Sequence, residues 1–248
     1  MHDMDQAVPS ETLESMKAYY RERAGEYDEW FYRRGRYDRG AEANVRWFVE
    51  ADEVIGALDG FVMDGDVLEL APGTGIWTER LLHTAGTITA VDASPEMIAI
   101  NRARIGDKHG ARVRYVLADL FDWQSGRVYD GVFFGFWISH VPLERLDSFM
   151  QMLSAALRPG GKLFFVDGRR EPFSTAVDHR LPDEGQQRMM RKLNDGRAFD
   201  IVKNYYDPAK LSSHFAAHGL DVMVRETATY FLYGYGVHQG DREGAPLP

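Results

Sequence analysis

Gly73, Gly75, Asp92, Asp119 and His140 are the residues whose types and spacing could do chemistry together. Two glycines in Ala71-Pro72-Gly73-Thr74-Gly75 leave the main chain bare at two points, so a flat ligand can approach it closely. Asp92 follows seventeen residues after Gly75, and its carboxylate can accept hydrogen bonds from two vicinal hydroxyls at once. Asp119 can accept from an exocyclic amine. His140 could take a proton from a hydroxyl, orient an anion as an N–H donor, or be a structural hydrogen-bonding residue.

These groups share a site only if strands and helices bring them there. Short apolar runs at Val67–Leu70, Ile88–Val91, Val113–Leu117, Gly131–Phe136 and Leu163–Val166 predict strands. Helical patterns separate them near Ile76–Ala85, Pro95–Ile105 and Pro142–Leu157. Ser94-Pro95-Glu96 is a helix start, with a capping hydroxyl, a proline at the first position and an acid favoured by the dipole. Leu157-Arg158-Pro159-Gly160-Gly161-Lys162 is a helix stop and turn. Alternation of this kind predicts an α/β, doubly wound, largely parallel sheet covered on both faces. In such sheets ligands sit at the carboxyl ends of the strands, where all five residues fall.

Outside this core the pattern is looser. One helix is expected from Ser10, as its cap, to Trp30, and a second from Ala41 to Ala57. After Asp167 a helix over Glu184–Leu193, a strand over Ala198–Lys203 and a helix over Pro208–Ala217 follow. Val222–Val224 and Thr229–Val237 read as final strands, and residues 1–9 and the Gly- and Pro-containing stretch from His238 to Pro248 as mobile. The expected organisation is a helical lid (1–60), a core (61–168), a basic insert (169–203), the C-terminal part of the sheet (204–237) and a tail (238–248).

Composition narrows the function. The 248 residues are 44% hydrophobic and 27% charged, as in an ordinary globular protein, and carry a net charge of −9. That charge argues against nucleic acid as the main partner. No apolar run reaches the roughly 18–20 residues of a membrane span, and the acidic start is unlike a secretory signal, so a cytoplasmic protein is expected. Cysteine is absent, which removes disulfides and thiolate metal sites. No clustered histidines or carboxylate set suggests a metal. Residues 169–203 hold eight Lys/Arg against six acids, a local +2 that could serve a small anion.

Two ribose-bearing cofactors use glycine turns of this kind. The NAD fingerprint needs a third glycine three positions after the second, for packing around a pyrophosphate. Here Thr78 stands there, beside Trp77, an indole awkward near a diphosphate but able to flank an adenosyl or methionyl group. S-adenosylmethionine carries no phosphate and tolerates the change. The chain resembles the class I S-adenosylmethionine-dependent methyltransferases in Glu69–Gly75, Val91-Asp92-Ala93-Ser94-Pro95-Glu96-Met97, Ala118-Asp119-Leu120 and Leu157–Lys162. The resemblance implies a Rossmann-like seven-stranded sheet with its last strand antiparallel. It implies a cofactor site of Glu69, Ala71, Gly73, Thr74, Gly75, Trp77 and Asp92, with Ala93, Met97, Asp119, Leu120 and Phe121 towards adenine and Phe136 nearby. The leading helix resembles that family's lid, so Tyr19, Tyr20 or Tyr27 could meet the amino acid end.

The acceptor is the open question. A phenol or alcohol needs a base, whereas a carboxylate or phosphonate needs cations. Tyr19-Tyr20-Arg21, Leu120-Phe121-Asp122-Trp123, His140-Val141-Pro142, Phe165-Val166-Asp167 and Asp195–Lys203 resemble small-molecule O-methyltransferases of the phosphonate-methylating kind. That likeness implies that Arg197 and Lys203, six apart on one strand face, bind an acidic group. Alternatives are C- or N-methylation of a hydrophobic metabolite lined by Trp30, Phe31, Phe136 and Trp137, or a phenol with His140 as base. A dehydrogenase, or a module that binds cofactor without turnover, stands further off.

Overall fold

In a computed structural model that describes residues 7–240, the apolar runs Val67–Leu70, Ile88–Val91, Gly131–Phe136 and Leu163–Val166 form strands buried on both faces, and Val113–Leu117 forms a more exposed edge strand. Expectations for residues 1–6 and 241–248 lie outside the described residues. β1 (Gly65–Leu70), β2 (Ala85–Asp92), β3 (Val113–Leu117), β4 (Tyr129–Gly135) and β5 (Leu157–Gly168) are parallel, in the spatial order 3-2-1-4-5. β6 (Arg188–Lys192) and β7 (Ala198–Val202) make a separate antiparallel hairpin. β8 (Leu220–Glu226) and β9 (Phe231–His238) complete the seven-stranded sheet, β9 lying antiparallel to both β5 and β8.

Adjacent residues show why the sheet must be covered twice. Phe134 stacks on Phe165 at 5.3 Å, facing α6 (Leu146–Ala156) and α7 (Pro208–Ala217). Its neighbour Phe133 stacks on Phe164 at 6.1 Å on the other face, under α3 (Ala41–Phe61) and α4 (Ile76–Leu81). Period-two alternation sends successive rings to opposite faces. α5 (Pro95–Gly110) starts as expected: Ser94 Oγ accepts from Met97 N at 3.1 Å, with Pro95 in the first turn.

The N-terminal segment departs from one long helix. α1 (Ser10–Glu22) is followed by a short 3-10 turn over Ala24–Glu26 and then α2 (Tyr27–Phe31). Gly25 lies in that break, and glycine costs a helix interior about 1 kcal/mol against alanine. Ser10 is the first helical residue rather than the cap; Pro9 holds the cap position without a side-chain bond. Val8, expected to be mobile, donates its N–H to Glu144 Oε1 at 2.6 Å.

The helix expected over Glu184–Leu193 is a strand instead. Met189, Arg191 and Leu193 are buried in alternation, and residues 188–192 pair in register with 198–202. Tertiary pairing overrides the local helical reading there. The hairpin makes a bed for α1: Leu13, Met16 and Tyr19 pack on Met189, Ile201 and Val202. Burying each such apolar side chain contributes roughly 1.5–3 kcal/mol, which anchors the lid helix to the insert.

Candidate active site

The glycine turn crosses from β1 to α4 in left-handed conformations that its neighbours help to hold. Ala71, Gly73 and Gly75 have φ of 51°, 55° and 92°. The two glycines serve different ends. A Cβ on Gly75 would meet Asn101 at 2.8 Å, whereas one on Gly73 would meet only the Tyr27 ring at 3.9 Å. Gly75 therefore lets α5 pack, and Gly73 keeps a cradle open. Asn101 ties the two by donating to Gly73 O and to Thr78 Oγ1.

Asp92 ends β2 beneath this cradle. It accepts from Gly73 N at 3.2 Å and Ser94 N at 2.9 Å, and burial pushes its carboxyl up to about 6. A cavity of about 250 Å³ opens above it, lined by Ala71, Gly73, Asp92, Ala93, Met97, Asp119, Leu120, Phe121, Phe136 and Trp137. Tyr20 and Tyr27 of the lid and His140 close its far end. Asp119 is not free: Oδ2 lies 2.6 Å from Lys17 Nζ of α1, and Oδ1 accepts from Phe121 N. Lys17 thereby bridges the lid to the crevice.

Several residues expected in the cofactor site lie elsewhere. Trp77 is buried in the core, 5.6 Å from Phe133, because α4 turns its indole under the sheet face. Glu69 is fully buried below the turn, and burial, opposed by the Thr78 hydroxyl and helped by Asp92, pushes it up to about 8. Thr74 donates to Asp28 Oδ1 at 2.5 Å, and Asp28 also pairs with Arg104, so these fasten α2 to the turn. Tyr19 packs against Tyr20 and Phe199 instead of the cavity. Phe31 is core, next to Trp77. Glu14, Met16, Lys17, Arg21, Ser94, Pro95 and Gly135 also line the cavity, and nothing in the turn motif marked them.

A second, smaller chamber of about 40 Å³ adjoins the first and shares Tyr20, Tyr27, Phe136 and His140 with it. Phe136, with a φ of 55°, stands in the common wall. Trp30 and Trp47, 5.2 Å apart, form one side of the chamber; Trp30 Nε1 is fixed on Ser174 O at 2.7 Å. Arg23, Arg169, Arg191 and Lys203 line the rest.

His140 has a definite tautomer. Nδ1 lies 2.6 Å from Val202 O, an acceptor only, so Nδ1 carries the hydrogen. Burial first, then Lys203, pulls the ring down to about 3, so it is neutral and Nε2 accepts from Tyr20 Oη at 2.7 Å. Lys203 is buried and lies 3.1 Å from Asp167 Oδ1 while donating to Ser139 Oγ at 2.7 Å. Burial alone would push Asp167 up, but Lys203 and the Ser139 and Gly168 amides hold it below the usual carboxylate range.

Arg197 does not join Lys203. It precedes β7 in the hairpin turn, where strand periodicity does not apply, and its exposed guanidinium pairs with Glu22 and Asp195. Arg191 stands in the chamber instead. It is 9% exposed, donates to Thr175 Oγ1 at 2.5 Å, and its Nε has no partner. Its signal was the period-two burial of β6, hidden by the helical reading.

The match to known proteins agrees with this geometry. The family described as "Methyltransferase domain" matches residues 67–161. DhpI in complex with S-adenosylhomocysteine (SAH) superposes with a TM-score of 0.73 at 35% identity, over 92% of this chain and 98% of that one. DhpI with S-adenosylmethionine (SAM) and HEP gives 0.74 and 37%, over 92% and 99%. Ubiquinone biosynthesis O-methyltransferase of Xanthomonas axonopodis pv. citri (strain 306) is 28% identical over 159 residues, 63% of this chain. The chain spans 62% of the length of that curated relative. The chain belongs to the class I S-adenosylmethionine-dependent methyltransferases. No helix among the described residues is long and apolar enough to cross a membrane.

Proposed function

We propose that this protein methylates an oxygen of a small anionic metabolite. One observation carries the reading: Arg191, buried and without a carboxylate partner among the described residues, faces a chamber that shares a wall with the cofactor crevice. A buried unpaired guanidinium is costly unless an anion meets it. DhpI is bound to HEP in one structure and the curated relative from Xanthomonas axonopodis is named an O-methyltransferase, which supports oxygen as the methylated atom.

The crevice fits the cofactor: the open cradle at Gly73 and the Asp92 carboxylate suit an amino acid end and a ribose diol. S-adenosylmethionine, when bound, supplies an electrophilic methyl group on a sulfonium. Arg191 and Lys203 would hold the acceptor while Phe136 and Tyr27 keep water from the junction. Alignment of two bound partners can supply several kcal/mol of the barrier. An acceptor oxygen held there would receive the methyl group that the cofactor supplies, and the electron pair of the broken S–CH₃ bond would stay on sulfur. An ionised acceptor loses one negative charge and no proton moves. If the acceptor is a hydroxyl, its proton passes to Tyr20 Oη as Tyr20 hands its own to the unprotonated His140 Nε2; this is the second reading, and it rests on that tautomer.

The test is methyl transfer from labelled donor to methylphosphonate, acetate and a catechol. Transfer to either anion, with KM raised at least about tenfold in Arg191→Ala and partly recovered in Arg191→Lys, is expected. Transfer to the catechol alone, abolished in His140→Ala, would replace this reading by the second.

A further inference from the structure

The acidic-acceptor reading leaves one charge in the chamber unexplained. Among the described residues four cations line it and no Asp or Glu does. Two of the four are already answered. Lys203 has Asp167 behind it, and Arg169 is bound from outside by Glu226 at 3.1 Å and by the carbonyls of Thr227 and Ala228. Arg191 and Arg23 are not.

Arg23 caps α1 and is 5% exposed. Its only side-chain hydrogen bond among the described residues runs from Nη2 to Tyr37 Oη at 3.1 Å. Its guanidinium lies 4.8 Å from the Tyr27 ring centre and 5.5 Å from those of Tyr19 and Tyr37. Such ring faces attract a cation but carry no net charge to cancel it. The chamber thus presents two unneutralised guanidinium groups, one from the lid and one from the insert. Its volume of about 40 Å³ compares with the roughly 10–15 Å³ a single water requires. One compact head fits; two separate acidic groups do not.

We infer that the chamber takes a single head bearing two negative charges, such as a phosphonate or phosphate-monoester dianion, and that Arg23 is the residue that selects it over a singly charged carboxylate. This rests on the acidic-acceptor reading and narrows it. Arg23 is a specificity residue on the lid, supplying the second of two guanidinium forks. Each fork can offer paired N–H donors, and a tetrahedral head has oxygens for both.

Titration calorimetry on the full chain loaded with S-adenosylhomocysteine tests this, with methylphosphonate and acetate as probes. Wild type should bind methylphosphonate at least about tenfold more tightly above its second ionisation than below it, and acetate more weakly than the dianion. Arg23→Met should cut the dianion's advantage to about threefold or less with S-adenosylhomocysteine affinity unchanged, and Arg23→Lys should restore part of it. Arg23→Met weakening S-adenosylhomocysteine instead would overturn the inference, because Arg23 would then serve the cofactor carboxylate. Equal affinity of wild type for acetate and the dianion would overturn it too, while leaving the acidic-acceptor reading intact. Failure of wild type to bind either anion would remove both. If Arg23→Met does not fold, the wild-type pH dependence and Arg23→Lys still decide.

Discussion

The two cavities are built in different ways. The floor of the cofactor crevice is the glycine turn and Asp92 at the ends of β1 and β2, held by hydrogen bonds within about thirty residues of sequence, and the lid closes over it through Lys17 on Asp119. The smaller chamber draws long side chains from the lid, α3, the end of β5 and the hairpin, segments as far apart as residues 20 and 203. The first needs a particular backbone path; the second needs particular charges brought from a distance. Substitutions should therefore damage the crevice through conformation and the chamber through electrostatics.

The sharpest trial of that contrast is Asp167→Asn. It leaves Lys203 buried beside an uncharged amide, and breaking a buried pair costs about 3–5 kcal/mol. Chemical denaturation should show a loss of that size, and the contrast fails if stability is kept while anion affinity falls. Gly73→Ala is next. Its φ of 55° imposes about 1–2 kcal/mol on alanine, and its Cβ enters the cradle without a clash against protein. Cofactor affinity should fall much more than this stability loss; an equal fall in the two would mean that the turn is merely structural.

Acidity should pull the two regions in opposite directions. Burial above all holds His140 down to about 3 and His179, whose Nδ1 lies 3.3 Å from Arg191 Nη1, down to about 2, so the unfolded chain binds protons that the folded one does not. Their contribution to stability is present above about 6.5 and is lost as pH falls towards 3. Glu69 and Asp92 are raised to about 8 and about 6 by burial, so their contribution is present at low pH and is lost as pH rises through those values. Glu69→Gln should flatten the alkaline limb of the stability–pH curve and leave the acid limb alone; an unchanged alkaline limb would place the titration elsewhere. The smallest effect belongs to Arg197→Ala. An exposed, solvent-screened ion pair contributes little to stability, and acceptor KM should not change. A tenfold rise would show that the hairpin turn reaches the chamber.

The same contrast explains what could be read from the residues alone. The parallel core was legible because β1 to β5 carry apolar runs between capped helices, and Ser94-Pro95 marks a start that needs no tertiary help. Asp92 and Gly73 followed, since their places depend on strand ends. Trp77 misled, because which way a helix turns an indole depends on α4's rotation over the sheet. Arg191 and Arg23 were invisible as site residues: a cation on a short strand or at a helix end looks solvated until its partners are known. Arg197 and Lys203 seemed to share a face only while residue 197 was counted within the strand.

The β6–β7 hairpin carries a consequence of its own. One short ribbon seats the lid, supplies a cation to the binding pit and holds His140 through Val202 O, while the hydrogen bonds that set the Gly73 turn and Asp92 come from other elements. Lineages of this scaffold are then free to retool what they modify by exchanging some fifteen residues, keeping the donor machinery untouched.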